Sequence, residues 1–276
     1  MAGSPTVRRK RLSRRLKELR EARGMTSEEA TKKAGFSRGK LTRMERDEWT
    51  RPNPKDIATL LDVYKVADEG EREAYLALAK QARQRGWWVS YSDALGKGAY
   101  VGLETEASSI RTVEALLIPG LLQTEDYARA VVRASGVTDT DEIDRRVEAR
   151  MLRKQVLARP DAPTFWAIVD EAALRKVTPD LADQLQHLLD VQRTNLRIQV
   201  LPDSMGPHAA MAGNFVVLDF PEDPSVVYLE SAEDQLFLED PVELRQYELL
   251  YGYVQSAALS VDDSRAFIQE RLNAIT

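Results

Sequence analysis

Cysteine is absent from the 276 residues, which removes disulfides, thiol nucleophiles and thiolate metal sites together. Histidine is scarce, with only His187 and His208 present. His187 falls in a helical stretch beside Leu188 and Leu189 and reads as a surface or edge histidine. His208 sits in the loop "SMGPHAAMAGN"; glycine-bounded loops between strands often line binding sites, but one histidine is not a mechanism. HExxH and Walker-type runs are missing, and the GxSxG spacing of "GFSRG" at 35–39 falls between two short helices instead of on the strand-to-helix elbow of a hydrolase, so the common hydrolase, metalloprotease and nucleotide-binding signatures are not met. Asp170 and Glu171 close a strand and open a helix, where carboxylates serve the helix N-terminus without any catalysis. The expectation is a protein that is not an enzyme and that uses no metal and no cofactor. No apolar run approaches the ~18–20 residues needed to span a bilayer. The opening "MAGSPTVRRKRLSRRL" is basic but has neither the apolar centre nor the cleavage site of a secretory signal. The cytoplasm is the expected compartment, with no membrane partner.

With 43% hydrophobic and 30% charged residues, the chain is rich enough in apolar side chains to bury a core. Its length suits two domains of ordinary size. The net charge of -5 conceals an asymmetry. Residues 1 to 86 hold 22 Lys and Arg against 13 Asp and Glu, a net of +9, while the remainder holds 17 against 31, a net of -14. A basic half suits a polyanion, since each phosphate contacted releases condensed counterions.

The basic half is punctuated as short helices. Leu12, Leu16 and Leu19 make one apolar stripe among arginines and lysines. After Gly24, Thr26 and Glu29 have the spacing of a capping box for a second helix. Gly35 supplies a tight turn, and Ser37 is expected to cap a third helix. Two short helices joined by such a turn form a helix-turn-helix candidate. On a helical wheel Leu41 and Met44 share one side of the third helix, while Arg38, Gly39, Thr42, Arg43 and Arg46 share the other. Arginine forks onto guanine O6 and N7, threonine meets the thymine methyl or a phosphate, and Gly39 in that face would let the backbone approach a duplex. Asn53, Pro54 and Asp56 start a fourth helix with Ile57, Leu60, Leu61 and Tyr64 inside, and a fifth is expected over about 69–84.

The run "LKELREARGMTSEEATKKAGFSRGKLTRMERDEWTRPNPKDIATLLDVYKV" resembles the XRE-type, lambda-repressor-like helix-turn-helix domain. The resemblance implies a five-helix all-α domain over residues 1–85 that binds double-stranded DNA as a homodimer on a palindromic operator, in the cytoplasm and associated with the nucleoid. It implies base contacts by Arg38, Gly39, Thr42 and Arg43, backbone contacts by Ser27, Lys40 and Arg51, and a buried ion pair between Arg20 and Glu45. Two positions depart from the family pattern: Ser27 stands where Gln is common and Ala30 where Leu is common. Arg8, Arg9, Lys10, Arg11, Arg14 and Arg15 read either as an arm that follows phosphates or as the wet face of the first helix.

Residues 86–276 read as an α+β domain with a small, mostly antiparallel sheet and flanking helices. "TFWAIVD", "NLRIQVLP", "GNFVVLDF" and "SVVYLES" are its strands. Helices are expected around 103–113, 124–134, 139–157, 171–176, 180–193, 241–258 and 262–273. The motifs "IPGLLQTEDYARAV", "RRVEARMLRKQVL", "VVYLES" and "LEDPVELRQY" resemble the large C-terminal domain of an antitoxin-like group of actinobacterial regulators. That resemblance implies a regulator with a small partner protein. Two roles stay open for this half. A small-molecule effector would sit among Trp87, Trp88, Tyr91, Tyr100, Phe165, Trp166 and His208. A protein partner, or a second copy, would pack on the stripe Leu244, Tyr247, Tyr251 and Val254. The alternative to a transcriptional regulator is an antitoxin-like protein that mainly neutralises its partner, with DNA binding as autoregulation.

Overall fold

Residues 5–49, 51–84, 86–95, 99–231 and 234–276 are described by the structure, a computed structural model. They divide into two compact units, one made of the described residues up to Ser90 with Ala99–Glu106 and the other of those from Tyr91 to Leu95 with Ala107–Thr276. In the first unit α1 (Pro5–Ala22), α2 (Ser27–Lys33), α3 (Lys40–Glu45), α4 (Pro54–Val63) and α5 (Glu69–Gln81) enclose one core. Leu12, Leu16, Leu41, Ile57, Leu60, Leu61 and Tyr64 are fully buried there, and each aliphatic side chain so removed from water contributes roughly 1.5–3 kcal/mol. Local chemistry fixes the helix starts. Asn53 Oδ1 accepts from Lys55 N with Pro54 at the first helical position, and Asp68 Oδ1 accepts from Glu71 N.

The second unit begins with α6 (Ser92–Leu95), whereas α7 (Ala99–Glu106) packs against α1 in the first. Burial of Val101 and Leu103 explains this, and it corrects the five-helix count, since α7 joins the first unit from beyond the boundary expected after residue 85. The expected helix over 103–113 is also corrected: α7 ends at Glu106 and β1 (Ser109–Glu114) follows. Ile110, Thr112 and Val113 are buried between two neighbouring strands, and that two-sided pairing outweighs a helical reading.

β1 is central in a six-stranded sheet with β2 (Thr164–Asp170), β3 (Leu196–Leu201), β4 (Phe215–Asp219), β5 (Val226–Glu230) and β6 (Gln235–Leu238), in the order β3-β2-β1-β4-β5-β6. β1 pairs with β2, and β2 with β3, in parallel; the other neighbours are antiparallel. The sheet is therefore mixed and larger than the small, mostly antiparallel one expected. Its parallel half arises because α8 (Glu125–Ala134) and α9 (Thr140–Lys154) lie between β1 and β2, and α10 (Glu171–Arg175) and α11 (Ala182–Asp190) between β2 and β3. Crossover helices allow parallel pairing that hairpins cannot.

α12 (Pro241–Ala257) and α13 (Val261–Asn273) complete the unit. Leu244, Tyr247, Tyr251 and Val254 of α12 pack on Val113, Ile168, Val217 and Val227 of the sheet. This corrects the partner-stripe assignment, since a stripe that covers its own sheet has no face left for a second chain. The opposite side of α12 exposes Val242, Leu249 and Tyr253. α13 is tied to β3 by polar contacts: Val200 N donates to Ser264 Oγ at 2.8 Å and Gln199 Nε2 to Leu259 O at 2.7 Å. Among the described residues no helix is long and apolar enough to cross a membrane.

Glu114 closes β1 with its carboxyl enclosed by protein, and burial pushes it up to about 7, helped by nearby Glu230 and opposed by a 3.2 Å hydrogen bond from Thr112 Oγ1. Its folded value exceeds that of an unfolded carboxyl, so the stability it favours is present below about pH 4.5 and lost as pH rises through about 7. Glu114→Gln is expected to remove about 1–3 kcal/mol of that loss. Urea midpoints at pH 5 and pH 8 check this: the variant should be the more stable protein at pH 8, and parallel midpoints would exclude it.

Candidate nucleic-acid interface

The α2–turn–α3 segment is built by local hydrogen bonds. Glu29 N donates to Thr26 Oγ1 at 3.2 Å, and Thr26 N donates to Glu29 Oε2 at 2.8 Å, closing the capping box read from the sequence. The Thr26 backbone bond holds the Glu29 carboxyl below the usual carboxylate range. At the other end Phe36 N reaches Thr31 O and Gly35 N reaches Lys32 O, with Gly35 at φ 65°. This pattern ends a helix in a left-handed residue, which glycine adopts without strain.

α3 starts later than the sequence suggested. Gly39 is its N-cap, at φ 77° and with no side-chain cap, and Ser37 contributes only its carbonyl to Lys40 N. Two expectations are corrected: Ser37 does not cap the helix, and Gly39 is not in the middle of its face. The glycine is required by its left-handed backbone, which costs other residues roughly 1–2 kcal/mol. The Arg43 guanidinium lies over it, 3.6 Å from where a Cβ would stand.

Arg20 and Glu45 fix this segment to α1. Arg20 Nε donates to Glu45 Oε1 at 2.7 Å, Nη2 to Oε2 at 3.0 Å and Nη1 to Met25 O at 2.7 Å. The side chains are only 11% and 7% exposed, and the bond to Glu45 raises the guanidinium above its ordinary range against the opposing effect of burial. The buried pair implied by the resemblance is present. Lys40 Nζ lies 2.8 Å from Asp56 Oδ1 and 4.3 Å from the Phe36 ring, joining α3 to α4. Ser27 Oγ and Thr42 Oγ1 are 3.1 Å apart, which links the first residue of α2 to the middle of α3.

With Leu41 and Met44 buried, the exposed side of this segment carries Arg38, Arg43 and Arg46, and Arg51 is exposed beyond it. None of these four guanidinium groups has a hydrogen bond or ion pair among the described residues, whereas Arg9, Arg20 and Arg72 are paired with carboxylates. Arg8, Arg9, Lys10, Arg11, Arg14 and Arg15 are wound into α1, so the arm reading is corrected. Arg9 holds Asp47 with two bonds of 2.6 and 3.2 Å, spanning α1 and the end of α3.

The residues singled out for an effector site are dispersed. Trp87 and Trp88 stack edge-on at 6.2 Å, and they and Tyr100 belong to the first unit. In the second unit, Tyr91 lies under Arg145, which is bound to Asp93. Phe165 is buried in β2, and its neighbour Trp166 points to the other face, donating to Gln199 Oε1 at 2.8 Å under Arg197. His208 Nε2 lies 3.3 Å from Asp170 Oδ2, and the other oxygen of Asp170 caps α10. Phe165 and Trp166 therefore cannot line one cavity with the same face. Among the described residues no group of three or more His, Asp or Glu is arranged to hold a metal ion.

The sequence search missed a different pairing. Lys154 at the end of α9 lies 3.5 Å from His187 of α11, beside an open hollow. A lysine continuing the apolar stripe of Ile143, Val147 and Met151 was the available signal.

Two family models match the chain. A helix-turn-helix domain, the module of DNA-binding regulators, spans residues 11–75. The model described as "Domain of unknown function (DUF5753)" spans residues 98–270, and the chain belongs to that family. No curated protein and no solved structure matches it.

Proposed function

We propose that the chain is a sequence-specific, XRE-type transcriptional regulator that binds a palindromic operator as a homodimer, with the second unit as a sensor of a small ligand or partner protein. It acts at the nucleoid and catalyses no reaction. The observation that carries this reading is the row Arg38, Arg43, Arg46 and Arg51, exposed and, among the described residues, without acidic partners, beside a helix held rigid by Arg20 and Glu45. Arginines left unpaired where other arginines are neutralised suit phosphates and guanine edges. The +9 charge of residues 1 to 86 supports the same polyanion. Ser27 and Lys40 act as positioning groups in this scheme. Ser27 orients Thr42, and Lys40 shares its charge with Asp56, so any phosphate it meets must compete with that carboxylate.

Selection from a random duplex pool by the full-length protein tests the reading. An enriched two-fold-symmetric motif, with half-sites about one helical turn apart, is expected. A pool that stays random after repeated rounds would overturn it.

A further inference from the structure

An open hollow lies beside α9 and α11 of the second unit. Its volume is about 370 Å³, within the range of small-molecule sites, roughly 300–1,000 Å³. Leu121, Met151, Leu157 and Val191 give it an apolar lining, and Lys154, Gln155, His187 and Arg193 are its polar groups. Lys154 Nζ donates to Gln123 O at 2.5 Å and lies 3.5 Å from His187 Nε2. An ammonium has three donor hydrogens, so this pairing leaves one unused. Among the described residues no carboxylate is paired with Lys154. Burial lowers Lys154, and burial and then Lys154 lower His187, which the charge of Asp190 opposes. Asp190 itself accepts from Gln186 Nε2. Arg193, which also lines the hollow, is engaged with the Leu157 carbonyl and Asn195 Oδ1.

A half-buried cation without a counter-ion, set in an apolar wall, is a costly arrangement that a single negative charge would relieve. A phosphate dianion would need more donors than the pair supplies, and apolar walls would strip its hydration without replacing it. We propose that this hollow binds a small monocarboxylic acid with an apolar body, its carboxylate on the Lys154 ammonium beside His187 and its hydrocarbon part on Leu121, Met151, Leu157 and Val191. The inference deepens the sensor reading of the second unit and names its ligand class.

The test is a titration of full-length protein labelled at histidine, followed by NMR of the two imidazole rings, with octanoate, 1-octanol and inorganic phosphate as probes. Octanoate should shift the His187 signals saturably and leave those of His208 in place. Octanol and phosphate should fail to do so over the same concentrations. Lys154→Gln keeps a donor for the Gln123 carbonyl and should weaken octanoate binding by about tenfold or more. Val191→Trp, which fills the hollow, should abolish binding, and unchanged His208 signals would confirm that each variant is folded. Absence of a saturable shift, equal binding of octanol or phosphate, or unchanged affinity in both variants would overturn the assignment. Because no DNA is present, failure here leaves the DNA-binding reading standing, and failure of operator selection leaves this result intact.

Discussion

Glu45→Ala is expected to destabilise the first unit by about 3–5 kcal/mol, the usual consequence of leaving a buried charge without its partner. The substitution strips the Arg20 guanidinium of its bonds at 2.7 and 3.0 Å and leaves it only the Met25 carbonyl and Glu21. Glu21 cannot replace Glu45, since it is 54% exposed and its oxygen lies 3.4 Å away. Glu21→Ala is therefore the control, with an expected effect below about 1 kcal/mol. Amide hydrogen exchange in α1 and α3 of the full-length protein reads both, because it isolates this unit from the sheet-containing one. Equal protection in the two variants would mean that the pair is energetically a surface contact, and α3 would then lack the rigid mount that the DNA reading needs.

The second large effect is on binding. Arg38→Ala with Arg43→Ala is expected to weaken the selected duplex by about 2–6 kcal/mol, at about 1–3 kcal/mol for each guanidinium that reads a base. Neither guanidinium has a hydrogen bond or ion pair to lose among the described residues, so stability should be little affected. Lys40→Ala should act differently. Its removal frees Asp56 beside α3, and the loss of affinity should fall on all sequences alike and flatten the salt dependence. Fluorescence anisotropy on selected and random duplexes at two salt concentrations separates the two behaviours. A double variant with undiminished affinity would remove Arg38 and Arg43 from the interface.

What was legible in the sequence was local. The Thr26 and Glu29 capping box, the Asn53–Pro54 helix start and the apolar stripe of α4 involve residues within a turn or two of each other, and residue type alone determines them. Glu45 as the partner of Arg20 came through family resemblance, since no periodicity links residues 25 positions apart. Gly39 was misplaced because a wheel drawn at constant pitch cannot register a residue at φ 77°. "SIRTVE" reads as the end of a helix because it is short and the charged Arg111 and Glu114 interrupt its β-branched residues Ile110, Thr112 and Val113. Its strand character comes from β2 and β4, more than fifty positions away in either case. Lys154 and His187 are brought together by the crossover helices on the parallel half of the sheet. Misreading that half as antiparallel removed the means of seeing the pair.

Random-pool selection run in parallel on the wild-type protein and on Arg43→Ala tests the central claim most directly. If α3 lies in the major groove with Arg43 on a base edge, the wild type will enrich a symmetric motif and the variant the same motif with one position per half-site relaxed. An identical motif from both proteins, or none from either, would contradict the assignment of this face as the one that reads DNA.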